Sequence, residues 1–292
     1  MRNSYRNLAL AGGGVWGISY AGAFEELDRL GMLSEIRCVA GTSAGSLAGL
    51  LLSLRYTSAE ISRIIQGLDY TKFIEQGRLH QVVRQYGFYP CDYASELFHG
   101  WLQEKLGSEQ ATFGDLHDAG GLDLRAYATN LNTRHIYEFS YQKTPDVPLA
   151  DAVRASMAVP LFFTAVNING QVFVDGGTVF DYPLAGFAQE EIGNTLGLAF
   201  AQSSVVATED QDDLVFGYDQ PLQYIQRLVN VLQRVQSPVF ALHDFLQEST
   251  ILIETGGVNS LNFKLSKEQK YQLVENGRLA VRQYFESGNG SM

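Results

Sequence analysis

The chain has 292 residues, enough for a sizeable core, and its 46% hydrophobic, 12% aromatic and 18% charged content excludes a disordered or fibrous protein. A formal charge of −11 opposes nonspecific nucleic-acid binding and attraction to anionic lipid heads, so any membrane contact has to be mainly apolar. Cys38 and Cys91 are the only cysteines, too few for a disulfide framework or a cysteine-rich metal site.

Residues 1–7 carry two arginines, but the apolar run at 8–11 is too short for a signal-peptide core. No run reaches the roughly 18 apolar residues of a membrane span. The expectation is a cytoplasmic protein, peripheral at membranes, with export by another signal left open. Residues 7–11 read as a first strand, followed by Gly12-Gly13-Gly14-Val15-Trp16-Gly17 and an amphipathic run in which Phe24, Leu27 and Leu30 share a helical face. Gly31 ends that helix, residues 36–40 form a second strand holding Cys38 in the core, and residues 47–54 are helix-like. Such a strand-helix-strand-helix opening predicts a parallel sheet.

Residues 57–110 show no convincing strand. Residues 58–68 and 92–106 look helical, joined by Tyr86-Gly87-Phe88-Tyr89-Pro90, and predict a helical cover. Phe88, Tyr89, Phe98 and Trp101 could admit a lipid chain, but aromatics at helical spacing read first as core. Residues 124–131 and 136–139 read as strands around Asn132-Thr133, and residues 149–157 as a short helix. Residues 162–168 and 171–174 look like a hairpin over Asn169-Gly170, which leaves Asp175 at a strand end. Further on, residues 195–201 read as a buried strand, 208–213 as a solvated acidic loop, 221–246 as helical, 251–254 as a strand and 267–285 as a last helix. With no Pro, Gly or Ser-rich linker and no repeat, the expectation is one α/β catalytic domain over residues 1–292, with a helical C-terminal part from about residue 219.

Three glycine motifs carry the chemistry. Gly41-Thr42-Ser43-Ala44-Gly45 joins a strand to a helix, the setting in which G-x-S-x-G makes a sharp turn that lifts a serine clear of the backbone. Ser43 is therefore the candidate nucleophile. Short G-x-S-x-G matches also arise by chance in a chain with 29 glycines, and the strand-to-helix context is what argues against that here. A serine hydroxyl needs a base and donors for the developing oxyanion. Residues 12–17 can supply donors, because glycines at a helix N-terminus let backbone N–H groups approach a ligand; Gly13 and Gly14 are the best placed, with Ala44 as a third. The same residues match G-x-G-x-x-G through Gly12, Gly14 and Gly17, a dinucleotide fingerprint, yet the second strand runs into Gly41-Thr42-Ser43 where an acidic ribose ligand is wanted. Packing glycines remain a third explanation.

For the base, a triad of the α/β-hydrolase type needs a histidine after the acid, and only His243 follows Asp175. It sits in a helical run with no loop signal. Asp175-Gly176-Gly177 offers a carboxylate instead, a weaker base that a dry, preorganised site can support, although Asp-Gly-Gly alone is more often a simple turn.

The combination resembles the patatin-like phospholipase family: the glycines at 12–17, the elbow at Ser43 and Asp175-Gly176-Gly177, in that order. Residues 127–133, Tyr-Ala-Thr-Asn-Leu-Asn-Thr, and 154–163, Arg-Ala-Ser-Met-Ala-Val-Pro-Leu-Phe-Phe, look like two more family blocks, so the likeness covers roughly residues 6–201. It implies a three-layer sandwich around a mostly parallel sheet, and lipid acyl hydrolysis by a Ser43–Asp175 dyad. It implies an oxyanion hole from the backbone of Gly12, Gly13 and Gly14, with Gly17, Gly41, Gly45, Gly176 and Gly177 supporting the motifs. No metal or organic cofactor is implied; the partners are a phospholipid or other acyl ester and a transient membrane surface. The chain departs from the family at Asn130, where aspartate is frequent, and at Phe180-Asp181-Tyr182-Pro183, where Asp-Asn-x-Pro is usual. A dinucleotide-dependent oxidoreductase and a noncatalytic lipid-binding module are the alternatives.

Overall fold

The computed structural model describes residues 5–201 and 248–287. The acidic loop at 208–213, the helix at 221–246 and His243 lie outside the described residues. The chain opens with β1 (Asn7–Leu10), a 3-10 turn over Gly14–Ile18, α1 (Ser19–Arg29), β2 (Cys38–Thr42) and α2 (Ala44–Ser53), the expected order. The cover follows as α3 (Ser58–Gly67), α4 (Leu79–Gln85), β3 (Gly87–Tyr89), α5 (Asp92–Leu106) and α6 (Phe113–Asp118). Then come β4 (Asp123–Asn130), β5 (His135–Phe139), α7 (Leu149–Ser156), β6 (Leu161–Phe163), β7 (Val166–Ile168) and β8 (Gln171–Asp175). The described chain ends with α8 (Gln189–Ile192), β9 (Thr195–Ala201), β10 (Thr250–Glu254) and α9 (Lys267–Glu286).

An eight-stranded sheet runs β10-β9-β1-β2-β4-β8-β7, with β5 also on β4. From β10 to β4 all pairings are parallel, and β5, β8 and β7 add antiparallel partners. Every residue of β1 and β2 is buried, as parallel strands covered on both faces must be. Alternation divides them: Leu8, Leu10 and Val39 join the main core with α1 and α2, whereas Ala9, Cys38 and Ala40 face Leu184, Phe187 and α8. The fold is therefore a mostly parallel sheet flanked by helices. Cys38 is core, as its strand implied, and burial pushes its thiol up to about 12.

The cover differs from expectation between its two expected helices, where α4 and β3 stand. Residues 86–90, read as a joint between helices, hold β3, which pairs in parallel with β6 through Gly87↔Leu161 and Tyr89↔Phe163. Three residues that pair only with a segment far along the chain leave no periodicity to read. The same pairing splits the expected strand at 162–168: the N–H groups of Thr164 and Ala165 turn aside to the carbonyls of Tyr89 and Gln85, at 2.9 and 3.0 Å, so β6 and β7 are separate. The hairpin turn at Asn169 and Gly170 has φ of 53° and 78°, as a tight two-residue loop requires. Phe98 and Trp101 are buried core residues.

Helix α9 lies along α1, and glycines set the approach. A Cβ on Gly22 would stand 1.9 Å from the Val274 carbonyl oxygen, and one on Gly277 would stand 1.9 Å from that of Ser19. Around this contact Arg278 pairs with Glu25 and Glu275, and Arg282 reaches the buried Glu26 at 3.3 Å.

Candidate active site

The sheet register brings the two ends of the site together. On β4, Tyr127 stands opposite Thr42, the last residue of β2, and the next residue, Ala128, stands opposite Asp175, the last of β8. Strand β8 thus continues along the β4 edge that β2 has just left, and Ser43 emerges beside Asp175. The Ser43 hydroxyl donates to Asp175 Oδ2 at 2.6 Å. Both residues are buried, 7% and 4% exposed.

Ser43 has φ 53° and ψ −122°, a left-handed strain at a residue that is not glycine. The surroundings enforce it. A Cβ on Gly41 would be 2.4 Å from the Gly45 carbonyl oxygen, and one on Gly45 would be 2.2 Å from that of Leu10, so the elbow closes only with glycine at both places. The Ser43 N–H donates to Ser156 Oγ at 2.9 Å, and Ser156 Oγ donates to the Tyr127 carbonyl at 2.6 Å. Ser46 Oγ donates to the Ser43 carbonyl at 2.7 Å. Sequence reasoning gave neither serine a role; the one signal was a small polar residue in an apolar setting, too weak alone.

Asp175 is held as firmly. Its Oδ1 accepts from the Gly177 N–H at 2.6 Å, its own N–H donates to the Ala158 carbonyl at 2.8 Å, and its carbonyl accepts from Thr129 Oγ1 at 3.0 Å. A Cβ on Gly176 would lie 2.4 Å from the Tyr127 carbonyl oxygen, so the bare backbone is needed for the strand to end here. Burial raises the Asp175 carboxyl from 3.8 to about 7; the bonds from Ser43 and Gly177 oppose the rise and the Asp181 charge adds to it. Asp181 itself is raised to about 6 by burial.

The glycine loop passes above this pair. A Cβ on Gly12 would meet Asp181 Oδ1 at 2.3 Å and Ser43 Cβ at 3.3 Å, which puts the loop against the serine. One of the expected oxyanion donors is otherwise engaged: the Gly12 N–H donates to the Asp181 carbonyl at 2.9 Å. The N–H groups of Gly13, Gly14 and Ala44 have no acceptor among the described residues. Gly14 has φ 55°, and a Cβ there would be 2.2 Å from the Ser260 carbonyl oxygen, while one on Gly13 would be 2.7 Å from the Phe200 ring. These close contacts account for the glycines without a nucleotide. Gly17 packs its bare face on Ala44, 2.8 Å from where a Cβ would sit.

Ser43 opens into an apolar cleft walled by Ile65, Leu68, Phe73, Met157, Phe163 and Phe263 among others. Tyr70 also lines it, with its hydroxyl turned away to the Ile65 carbonyl at 3.1 Å. The cleft's lining among the described residues is apolar, which suits an acyl chain better than a charged group. None of His80, His99, His117 and His135 lines the pocket.

A strained serine between a parallel strand and a helix, bonded to the carboxylate that ends a neighbouring strand, marks an α/β protein equipped for nucleophilic chemistry. The chain belongs to the patatin-like phospholipase family, whose model matches residues 8–188. It is 26% identical over 285 residues to uncharacterized protein R571 of Acanthamoeba polyphaga mimivirus, covering 95% of this chain and 93% of that one. A probable lipid hydrolase, 463L of Invertebrate iridescent virus 6, is 25% identical over 182 residues, 62% of each chain. The fold is similar to that of VipD from Legionella pneumophila, with a TM-score of 0.64 at 21% identity, covering 97% of this chain and 67% of VipD. Among the described residues, no helix is long and apolar enough to cross a membrane.

Proposed function

We propose that the protein is a lipid acyl hydrolase of phospholipase A type, with Ser43 as nucleophile and Asp175 as its base. The observation that carries this reading is the 2.6 Å bond from Ser43 Oγ to Asp175 Oδ2 at the wall of an apolar pocket. Family membership and the lipid-hydrolase relative support it.

Asp175 takes the proton as Ser43 Oγ bonds to the ester carbonyl carbon, and the carbonyl oxygen becomes an oxyanion. The N–H groups of Gly13, Gly14 and Ala44 receive that oxygen, helped by the positive ends of the 3-10 turn and of α2. The carbon–oxygen bond to the alcohol then breaks, and the departing alcohol takes the proton from Asp175. Water gives a proton to Asp175 and attacks the acyl-serine; collapse returns the proton to Ser43 Oγ and frees the fatty acid. An aspartate serves here because burial holds its proton affinity near neutrality, at about 7.

The test uses a fluorophosphonate probe and a fluorescent acyl ester. Labelling is expected at Ser43, and Ser43→Ala and Asp175→Asn should each lower turnover by about a thousandfold or more with unchanged melting. Retained turnover in either variant defeats the dyad. A wild type that binds lipid yet resists the probe is a noncatalytic lipid-binding module, and saturable dinucleotide binding would favour an oxidoreductase.

A further inference from the structure

The cover element α4–β3 exposes side chains that folding does not need. Val83 is 80% and Tyr86 58% exposed, the two most exposed large apolar side chains on this part of the surface, three residues apart at the end of α4. Tyr86 caps α4 in the left-handed region, with φ 61°. Glycine is the residue that closes a helix there without strain, and a bulky side chain is an outlier. Strain that a glycine would relieve, kept by a tyrosine that packs against little, points to a use for the ring outside the fold.

The same segment also carries exposed basic side chains. In a chain with 32 acidic and 21 basic residues, positions 76–91 contain Arg78, His80 and Arg84 and no aspartate or glutamate. Arg78, His80 and Arg84 are all exposed. Tyrosine and arginine suit a membrane interface: the ring sits at headgroup depth, and the guanidinium fork matches phosphate. The segment also leads to the site. Phe88 contacts Tyr89 at 4.9 Å, Tyr89 lies 6.5 Å from Phe163, and Phe163 lies 5.9 Å from Phe263, the last two being pocket walls.

We infer that α4 and the start of β3 form the surface by which the protein docks on a phospholipid bilayer. Val83 and Tyr86 enter the headgroup layer, and Arg78 and Arg84 bind lipid phosphates. The pocket's aromatic wall then faces the interface, so that an acyl chain passes from bilayer to pocket along apolar surface. This rests on the lipid-hydrolase reading for its purpose, but its measurement does not depend on catalysis. Against an overall charge of −11, the two exposed arginines of this segment, with no carboxylate between them, give lipid phosphate a local attraction.

The experiment is flotation of the full chain, carrying Ser43→Ala to spare the lipid, with phosphatidylcholine vesicles with and without phosphatidylserine. Val83→Ser with Tyr86→Gly should reduce the vesicle-bound fraction by about tenfold, the loss expected when two apolar anchors no longer leave water. In the wild-type background the same pair should leave turnover of a water-soluble acyl ester unchanged, and Tyr86→Gly alone should melt no lower than wild type. Arg78→Gln with Arg84→Gln should weaken binding more at low salt than at high salt. Undiminished flotation of the Val83/Tyr86 variant overturns the proposal, as does a wild type that binds no vesicles. If the variant instead converts a dimer to a monomer in sedimentation, the face belongs to a second copy of the chain and the proposal also fails. Absence of fluorophosphonate labelling in a protein that still floats would sink the hydrolase reading and leave the docking surface standing.

Discussion

At the scale of single residues, the site is governed by what surrounds two side chains. In the proposed mechanism Asp175 must be ionised to accept the serine proton, so with its carboxyl near 7 the rate should rise as pH climbs through neutrality. Asp181 is the chain's departure from the usual family asparagine, and its charge makes the Asp175 carboxylate harder to form. Among the described residues the phenols of Tyr20 and Tyr182 also lie by Asp181, both raised by burial and neutral at this pH. Removing the Asp181 charge therefore lowers the Asp175 value, and Asp181→Asn should move the acidic limb of the kcat/KM profile to lower pH with melting preserved; a limb that stays or moves upward contradicts the assignment. Ser156 acts differently, as a positioning residue for the elbow. Ser156→Ala would leave the Ser43 N–H and the Tyr127 carbonyl buried without a partner, an expected destabilisation of about 1 to 3 kcal/mol. Turnover should fall with it, and Ser156→Thr, which keeps the hydroxyl, should recover part of both; an alanine variant with native melting and rate would refute the role.

At the scale of elements, the elbow is the feature where sequence and structure agree most fully. Small residues flanking Ser43 are demanded by contacts with backbone, which cannot move aside as a side chain can: Gly45 faces the Leu10 carbonyl and Gly41 faces Gly45. Gly45→Ala should therefore cost about 3 kcal/mol or more, seen as a large fall in melting temperature together with loss of probe labelling at Ser43. A variant with near-native melting would show that β1 can retreat from α2. The order of the parallel opening, the β7–β8 hairpin and the placing of Asp175 at a strand end were legible for the same reason, since each is written in local pattern: a buried apolar run, an Asn-Gly turn, a glycine pair. What was not legible depends on distant partners. The pairing of β3 with β6 joins segments more than seventy residues apart, and the commitment of the Gly12 amide to the Asp181 carbonyl joins residues even further separated. Neither leaves a trace in the neighbouring sequence, so the candidate donors for an oxyanion could be narrowed to Gly13, Gly14 and Ala44 only in three dimensions.

At the scale of the whole molecule, the site is finished by chain that the family's pattern does not include. The family match stops at residue 188, yet the glycine loop is braced from residues beyond 250: the Val15 N–H donates to the Ser260 carbonyl at 2.9 Å and Trp16 Nε1 to the Val258 carbonyl at 2.6 Å. Leu261 and Phe263 wall the pocket, and α9 locks onto α1, the helix that the glycine loop opens. The sequence marked a last helix but gave no sign that it belonged to the site, because glycines at 22 and 277 reveal their purpose only when the two helices lie side by side. A chain ended after residue 254 would lose those braces and the buried side chains of Leu261, Phe263, Leu273, Val274 and Val281. At about 1.5 to 3 kcal/mol for each buried side chain, the loss rivals the about 5 to 15 kcal/mol that holds a typical domain folded. The shortened chain should thus show no cooperative melting and no labelling of Ser43, even though every family motif and both dyad candidates remain. Should it melt cooperatively and react with the probe at the wild-type rate, the C-terminal segment is an appendage, and the pocket must be complete within the residues that precede it.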